Sequence, residues 1–249
     1  MKAYAKTDIG SKRSMNQDYM YCNTEPVGSF QNLLIVADGM GGHRAGDYAS
    51  RLCVETMVQS LEKSAHKTPV SLFEEAVTAA NKAVFEESAS HVEYEGMGTT
   101  VVACTLEENT LYIANIGDSR LYLIRDGIEQ ITDDHSLVEE MVKQGNITES
   151  EARIHPQKNI ITRALGINEE VQADFFEIDV EQGDVIMLCS DGLSNMIEDE
   201  DMEYIVKNSD TLQTAAESLV ARANENGGND NITVVIHCFN IYIFRRKKL

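Results

Sequence analysis

Residues 99–132 read TTVVACTLEENTLYIANIGDSRLYLIRDGIEQIT, and this stretch decides the fold class. Short runs rich in β-branched, aliphatic and aromatic residues alternate with small polar clusters. The runs are Thr99–Leu106, Leu111–Ile116, Leu121–Ile124 and Ile128–Ile131, separated by the turn-like segments EEN, GDS and RDG. That pattern predicts an antiparallel meander.

Working outward, residues 2–9 and 17–22 are short mixed segments compatible with strands, and Leu33–Ala37 reads as a strand buried on both faces. From about Asp47 to Glu62 the apolar positions recur at helical spacing (Ala49, Leu52, Cys53, Met57, Leu61). A second helix is predicted over about Val70–Ser88, with Leu72, Phe73, Ala76, Val77, Ala80 and Val84 on one face. Ser136–Gln144 and Glu149–Arg153 read as shorter helices. Ala173–Val180 and Asp184–Cys189 read as strands joined by the turn EQGD. Helical segments near Asp201–Val206 and Thr211–Glu225 precede a last strand, Ile232–Cys238. This order makes an α+β fold, with two packed sheets flanked by helices on the outside.

The chain of 249 residues carries a formal net charge of −20. A surplus of that sign repels a phosphate backbone and argues against nucleic-acid partners. It leaves many carboxylates for divalent cations. The cysteines, Cys22, Cys53, Cys104, Cys189 and Cys238, are odd in number and widely spaced. Neither a zinc site nor a disulfide framework is expected, and Cys104, Cys189 and Cys238 fit a core. The first ten residues have no apolar signal core, so a reducing cytoplasm is the expected compartment. The apolar run Ile232–Phe244 is shorter than the ~20 residues of a membrane span and includes His237 and Asn240. A final strand is expected there, followed by a basic tail over 241–249.

Aspartates recur where strands enter or leave the core. LLIVA runs into Asp38-Gly39, LYIANI into Gly117-Asp118 and VIMLCS into Asp191-Gly192, while Gly228-Asn229-Asp230 leads into NITVVI. Turn chemistry alone explains Asp126-Gly127 and is respectable for Asp118. It fits Asp38 and Asp191 poorly, because helical segments follow both. Carboxylates gathered at one rim repel one another unless cations neutralise them, and oxygen ligands of this kind suit Mg²⁺ or Mn²⁺. Two such ions about 4 Å apart polarise a water for attack on phosphorus. Glycines beside Asp38 would let backbone and substrate approach the ions.

Seven motifs now stand in order: Asn16-Gln17-Asp18; Val36-Ala37-Asp38-Gly39-Met40-Gly41-Gly42-His43; Gly98-Thr99-Thr100; Gly117-Asp118-Ser119-Arg120; Thr162-Arg163-Ala164-Leu165-Gly166; Ser190-Asp191-Gly192; and Gly228-Asn229-Asp230-Asn231-Ile232-Thr233. Together they resemble the metal-dependent PP2C-type (PPM) serine/threonine protein phosphatases, in their compact bacterial branch, over nearly the whole chain. The resemblance implies one catalytic domain over 1–240, a β-sandwich of two antiparallel sheets with helix pairs outside (α-β-β-α). It places a flap subdomain at about 132–166. It implies hydrolysis of phosphoserine and phosphothreonine on proteins by a metal-activated water, with no phosphoenzyme, opposing a serine/threonine kinase.

By the same resemblance Asp38 bridges two Mn²⁺ or Mg²⁺ ions, Asp191 and Asp230 complete the first site, and Asp18 with the Gly39 carbonyl serves the second. Asp118 with Asp191 holds a third ion, and Arg13 grips the substrate phosphate. Eukaryotic relatives carry a histidine directly after Asp-Gly, where this chain has Met40. The general acid is therefore either His43 or a metal-bound water. His135 and His155 flank the flap within reach of a substrate. The expected protein is a cytoplasmic monomer. A non-catalytic module of the same fold is disfavoured by the complete aspartate set, and a role on a small anti-sigma-factor-type partner stays open. Asp133-Asp134-His135 lacks the partner aspartates of DHH phosphoesterases, and Asp133–Ser136 reads instead as a helix N-cap. Gly39-Met40-Gly41-Gly42 lacks the lysine of a P-loop.

Overall fold

The computed structural model describes residues 2–42 and 45–239. One sheet is built, in spatial order, from β1 (Lys2–Asp8), β11 (Ile232–Cys238), β10 (Val185–Cys189), β7 (Arg120–Ile124) and β8 (Ile128–Gln130). The other runs β2 (Asp18–Asn23), β3 (Leu33–Met40), β5 (Val101–Glu107), β6 (Thr110–Ile116) and β9 (Asp174–Asp179), with the short β4 (Gly98–Thr99) paired to the end of β3. All the described pairings are antiparallel.

Each central strand is apolar throughout because both of its faces are covered. In β3, Leu33, Ile35 and Ala37 face α1 (Ala45–Lys63) and α2 (Pro69–Ser90), while Leu34 and Val36 face the other sheet. In β10, Val185, Met187 and Cys189 face α5 (Asp191–Ser194), α6 (Asp199–Asn208) and α7 (Leu212–Glu225), while Ile186 and Leu188 point inward. Three apolar layers result: helix on sheet, sheet on sheet, and sheet on helix. Each fully buried Leu, Ile or Val in them contributes about 1.5–3 kcal/mol relative to exposure. Helix starts follow local capping rules. Thr68 caps α2 ahead of Pro69, and Thr211 forms a capping box with Thr214 on α7. Among the described residues no helix is long and apolar enough to cross a membrane.

The meander expected over 99–132 holds only in part. β5 pairs β6 and β7 pairs β8, but β6 and β7 lie in different sheets. Gly117-Asp118-Ser119 is therefore a crossover between sheets and not a hairpin turn. The same is true of EQGD, which carries the chain from β9 in one sheet to β10 in the other. Between β8 and β9 lie α3 (Leu137–Lys143) and α4 (Glu149–Arg153), which belong to neither sheet. Ser136 supplies the cap of α3. Asp134 instead forms a forked pair with Arg120, and Asp133 pairs with Lys143. The expected tail over 241–249 lies outside the described residues.

Candidate active site

Strand register brings the aspartates to one end of the sandwich. Asp18 stands opposite Asp38 across β2 and β3. Cys189, at the end of β10, stands opposite both Arg120 and Val234. Asp191 just beyond β10, Asp118 just before β7 and Asp230 just before β11 must therefore emerge at the same rim. Thr100 ties the two sheets together there. Its hydroxyl accepts from the Asp38 amide at 3.0 Å and bonds Ser119 Oγ at 2.7 Å.

Two of the glycines beside the aspartates stand against a neighbouring backbone. A Cβ on Gly39 would sit 2.0 Å from the Gly46 carbonyl oxygen, and one on Gly192 would sit 1.9 Å from that of Asn231. Both glycines admit a neighbouring backbone: Gly39 lets α1 close onto β3, and Gly192 lets α5 close onto the start of β11.

The carboxylates crowd one another. Burial raises the pKa of Asp38 well above the usual carboxylate range, and repulsion from Asp18, Asp191, Asp118 and Asp230 adds to it. Asp18 is pushed up to about 7, first by burial, although Thr233 and Ser190 hydrogen-bond to it. Asp191 is pushed up to about 6 by burial and by Asp230, with Asp38 as a hydrogen-bonding neighbour. Asp118 is raised by burial and then by Asp191.

One oxygen of several carboxylates is satisfied by protein. Ser190 Oγ donates to Asp18 Oδ2 at 2.7 Å, Asn195 Nδ2 to Asp191 Oδ2 at 2.9 Å, and Arg13 Nη2 to Asp230 Oδ2 at 2.6 Å. The Oδ1 atoms of Asp18, Asp118 and Asp191 are buried without any partner. Unpaired buried carboxylate oxygens are costly, and a hard divalent cation is the group whose chemistry answers them. The donor set thus fits such ions. Among the described residues, no group of three or more His, Cys, Asp or Glu side chains is already arranged to hold one. Asp230 in particular is turned to Arg13.

Arg13 lies half exposed on the loop between β1 and β2. Asn231 pins that loop by donating to the carbonyls of Ile9 and Met15, at 2.9 Å each, and accepting from the Gln17 amide at 2.8 Å. His43 lies outside the described residues. His135 is buried, and its Nδ1 accepts from the Gly117 amide at 3.0 Å while Nε2 meets Asp174 Oδ2 at 2.9 Å. It holds the crossover. Burial lowers its pKa and favours the neutral ring. Of the side chains that support this rim, Ser190 and Asn231 stand inside the ordered motifs and His135 was expected near a substrate, whereas Asn195 had no assigned role and its one trace is its place four residues after Asp191.

Beside the rim, a cleft of about 360 Å³ lies between α3 and α4 on one side and α5 on the other. It is lined by Asp118, Asp191, Asn195, Arg153 and Lys158 among others.

The family model described as Protein phosphatase 2C matches residues 10–232. The serine/threonine phosphatase Stp of Listeria monocytogenes serotype 4b (strain F2365) is 39% identical over 246 residues, covering 95% of each chain. The crystal structure of the Mycobacterium tuberculosis serine/threonine phosphatase PstP/Ppp superposes with a TM-score of 0.87 at 36% identity, covering 96% of this chain and 99% of that one. The catalytic domain of the phosphatase PstP, solved in complex with two manganese ions, superposes with a TM-score of 0.83 at 34% identity over 94% of this chain and 96% of its own. The chain belongs to the protein phosphatase 2C family of serine/threonine phosphatases.

Proposed function

We propose that the chain removes phosphate from phosphoserine and phosphothreonine of proteins at the aspartate rim, using Mn²⁺ or Mg²⁺. The observation that carries the reading is the set of buried, partnerless oxygens on Asp18, Asp118 and Asp191 beside the repelling Asp38. Asp38 would contact both ions of a core pair, with Asp191 and Asp230 on one side and Asp18 and the Gly39 carbonyl on the other. When bound, such a pair supplies a nucleophile by acidifying water and offsets charge on the phosphoryl oxygens.

The protein's own groups supply the rest. Arg13, half exposed beside Asp230, would present its guanidinium fork to the phosphate. The loop that Asn231 pins fixes where the fork points. Residues 132–166 form a flap beside the cleft and select the protein substrate, which a serine/threonine kinase must first phosphorylate. The complex of a relative with two manganese ions supports the choice of metal.

Chelation tests the reading. EDTA should stop phosphate release from both a phosphothreonine peptide and p-nitrophenyl phosphate, and Mn²⁺ or Mg²⁺ should restore it where Zn²⁺ alone does not. Full activity in a stripped, chelated sample would sink the metal mechanism.

Asp118 with Asp191 would hold a third, weaker ion. Asp118→Asn keeps the shape of the crossover and removes a buried, unpartnered charge, so the variant should fold normally. Its phosphopeptide turnover should fall by about tenfold or more, and calorimetric titration with Mn²⁺ should lose one site. Wild-type turnover with an unchanged site count would leave Asp118 a purely structural residue.

A further inference from the structure

The segment 132–166 is fastened to the sandwich in two different ways. At its root it is held both by backbone bonds and by side chains, among them the Arg120–Asp134 fork and the buried His135 on the Gly117 amide. His135 N donates to the Gly117 carbonyl at 2.9 Å, Leu165 N to the Thr99 carbonyl at 2.9 Å and Thr99 N to the Leu165 carbonyl at 3.1 Å, while Thr162 N closes the base of the segment on the His135 carbonyl at 2.8 Å. At its tip, α4 and the turn after it meet the region of α5 through side chains. Arg153, in the last turn of α4, donates from Nη2 to the carbonyls of Ser194 and Ile197, at 3.3 Å each, and pairs with Glu198 at 3.0 Å. Lys158 Nζ reaches Asn195 Oδ1 at 3.4 Å. The cleft of about 360 Å³ lies between root and tip.

The tip contacts converge on one carboxylate. α5 is a single turn that begins at Asp191, and Arg153 grips the carbonyls at and beyond its end. Asn195 carries the contact back to that first residue. An amide has one accepting and one donating end, so Lys158 on Oδ1 turns Nδ2 toward Asp191, where it donates to Oδ2 at 2.9 Å. Asp191 Oδ1 stays buried and without a partner. The carboxylate is thus held by one oxygen and left open at the other.

The geometry points to Arg153 and Lys158 as a latch that closes the flap over the cleft and, through Asn195, fixes the carboxylate of Asp191. Both are positioning residues, and the inference rests on the reading of Asp191 as a metal ligand. Opening the tip breaks only the contacts of these two side chains, while the root keeps its backbone bonds and its own side-chain bonds. A protein segment too bulky for the closed cleft can enter in this way, and reclosure resets the ligand.

The test uses the full chain with two readouts, hydrogen exchange followed by mass spectrometry and calorimetric titration with Mn²⁺. Arg153→Ala should speed exchange of the amides over 149–160 severalfold, leave those of β5 and β6 unchanged, and weaken Mn²⁺ binding by about tenfold, the scale of a lost supporting contact. Asn195→Ala should weaken Mn²⁺ binding similarly and, because it frees Lys158 but not Arg153, should speed exchange over 149–160 by less than Arg153→Ala does. Arg153→Lys, which keeps the charge but not the fork, should fall between wild type and Arg153→Ala in both readouts. Wild-type exchange and wild-type Mn²⁺ binding in Arg153→Ala would overturn the latch. If Arg153→Ala unfolds globally, Arg153→Lys and Lys158→Gln decide by the same criteria. Asp191→Ala separates the two readings. Loss of an ion there, with no change in Arg153→Ala, defeats the latch alone. Unchanged binding in Asp191→Ala defeats the metal reading, and exchange over 149–160 then decides the latch.

Discussion

Asp38→Asn should reduce phosphate release by at least about 10²–10³-fold, the size expected when one electrostatic stabiliser of a transition state is lost. It should also raise the melting temperature of the metal-free protein. The two effects share a cause. Asp38 is the carboxylate surrounded by the other four, and burial and their repulsion raise its pKa well above the usual range. In the absence of cations its charge works against folding. The amide has nearly the same shape and cannot repel, so the metal-free variant gains stability. The same change removes the proposed shared ligand of two ions. Phosphopeptide turnover with saturating Mn²⁺, together with melting curves in EDTA, measures both. Lost turnover with a lowered metal-free melting temperature would mean that Asp38 is a folding residue first.

The metal-free protein should lose stability as pH rises from about 4 to about 7. Asp18 and Asp191 have folded-state pKa values pushed up to about 7 and about 6, against about 3.9 for an unfolded aspartate. A group whose pKa is raised by folding takes up protons on folding. Its contribution is full below the unfolded pKa and vanishes as pH climbs through the folded one. In EDTA, melting should therefore move to lower temperature between pH 5 and pH 7.5. Saturating Mn²⁺ should reverse the trend, because the ion binds the ionised carboxylates of the folded state and protons compete with it at pH 5. The gap between wild type and Asp38→Asn, followed over the same range, isolates the cluster from carboxylates elsewhere. A metal-free melting temperature that rises with pH, with no such gap, would show that the aspartates are ionised and well paired without ions.

Much of the fold was legible before the structure. A strand covered on both faces is apolar at consecutive positions, so Leu33–Ala37, Val185–Cys189 and Ile232–Cys238 announce burial by themselves. Helix α4 matched its predicted limits, Glu149–Arg153, because its capping box is written into Thr148 and Glu151. The placement of Asp118, Asp191 and Asp230 just outside strands was equally local, whereas β3 runs on through Asp38 to Met40, past the predicted end at Ala37. The resemblance of the ordered motifs identified the family that the comparisons establish.

Other features depend on which sheet each strand joins, and no local pattern encodes that choice. Gly117-Asp118-Ser119 has the composition of a hairpin, yet it is a crossover because β7 finds its partner in β10, more than sixty residues further along. The purposes of Gly39 and Gly192 became visible only once the backbones of Gly46 and Asn231 lay against them. Arg13 and Asp230 are 217 positions apart, and their pairing is a property of the closed sandwich. The amino-acid sequence by itself determined which segments are strands and helices, because burial and periodicity act over a few residues. The tertiary structure alone decided which carboxylates share a rim, because their repulsion and their partnerless oxygens arise only when two sheets bring distant strand ends together.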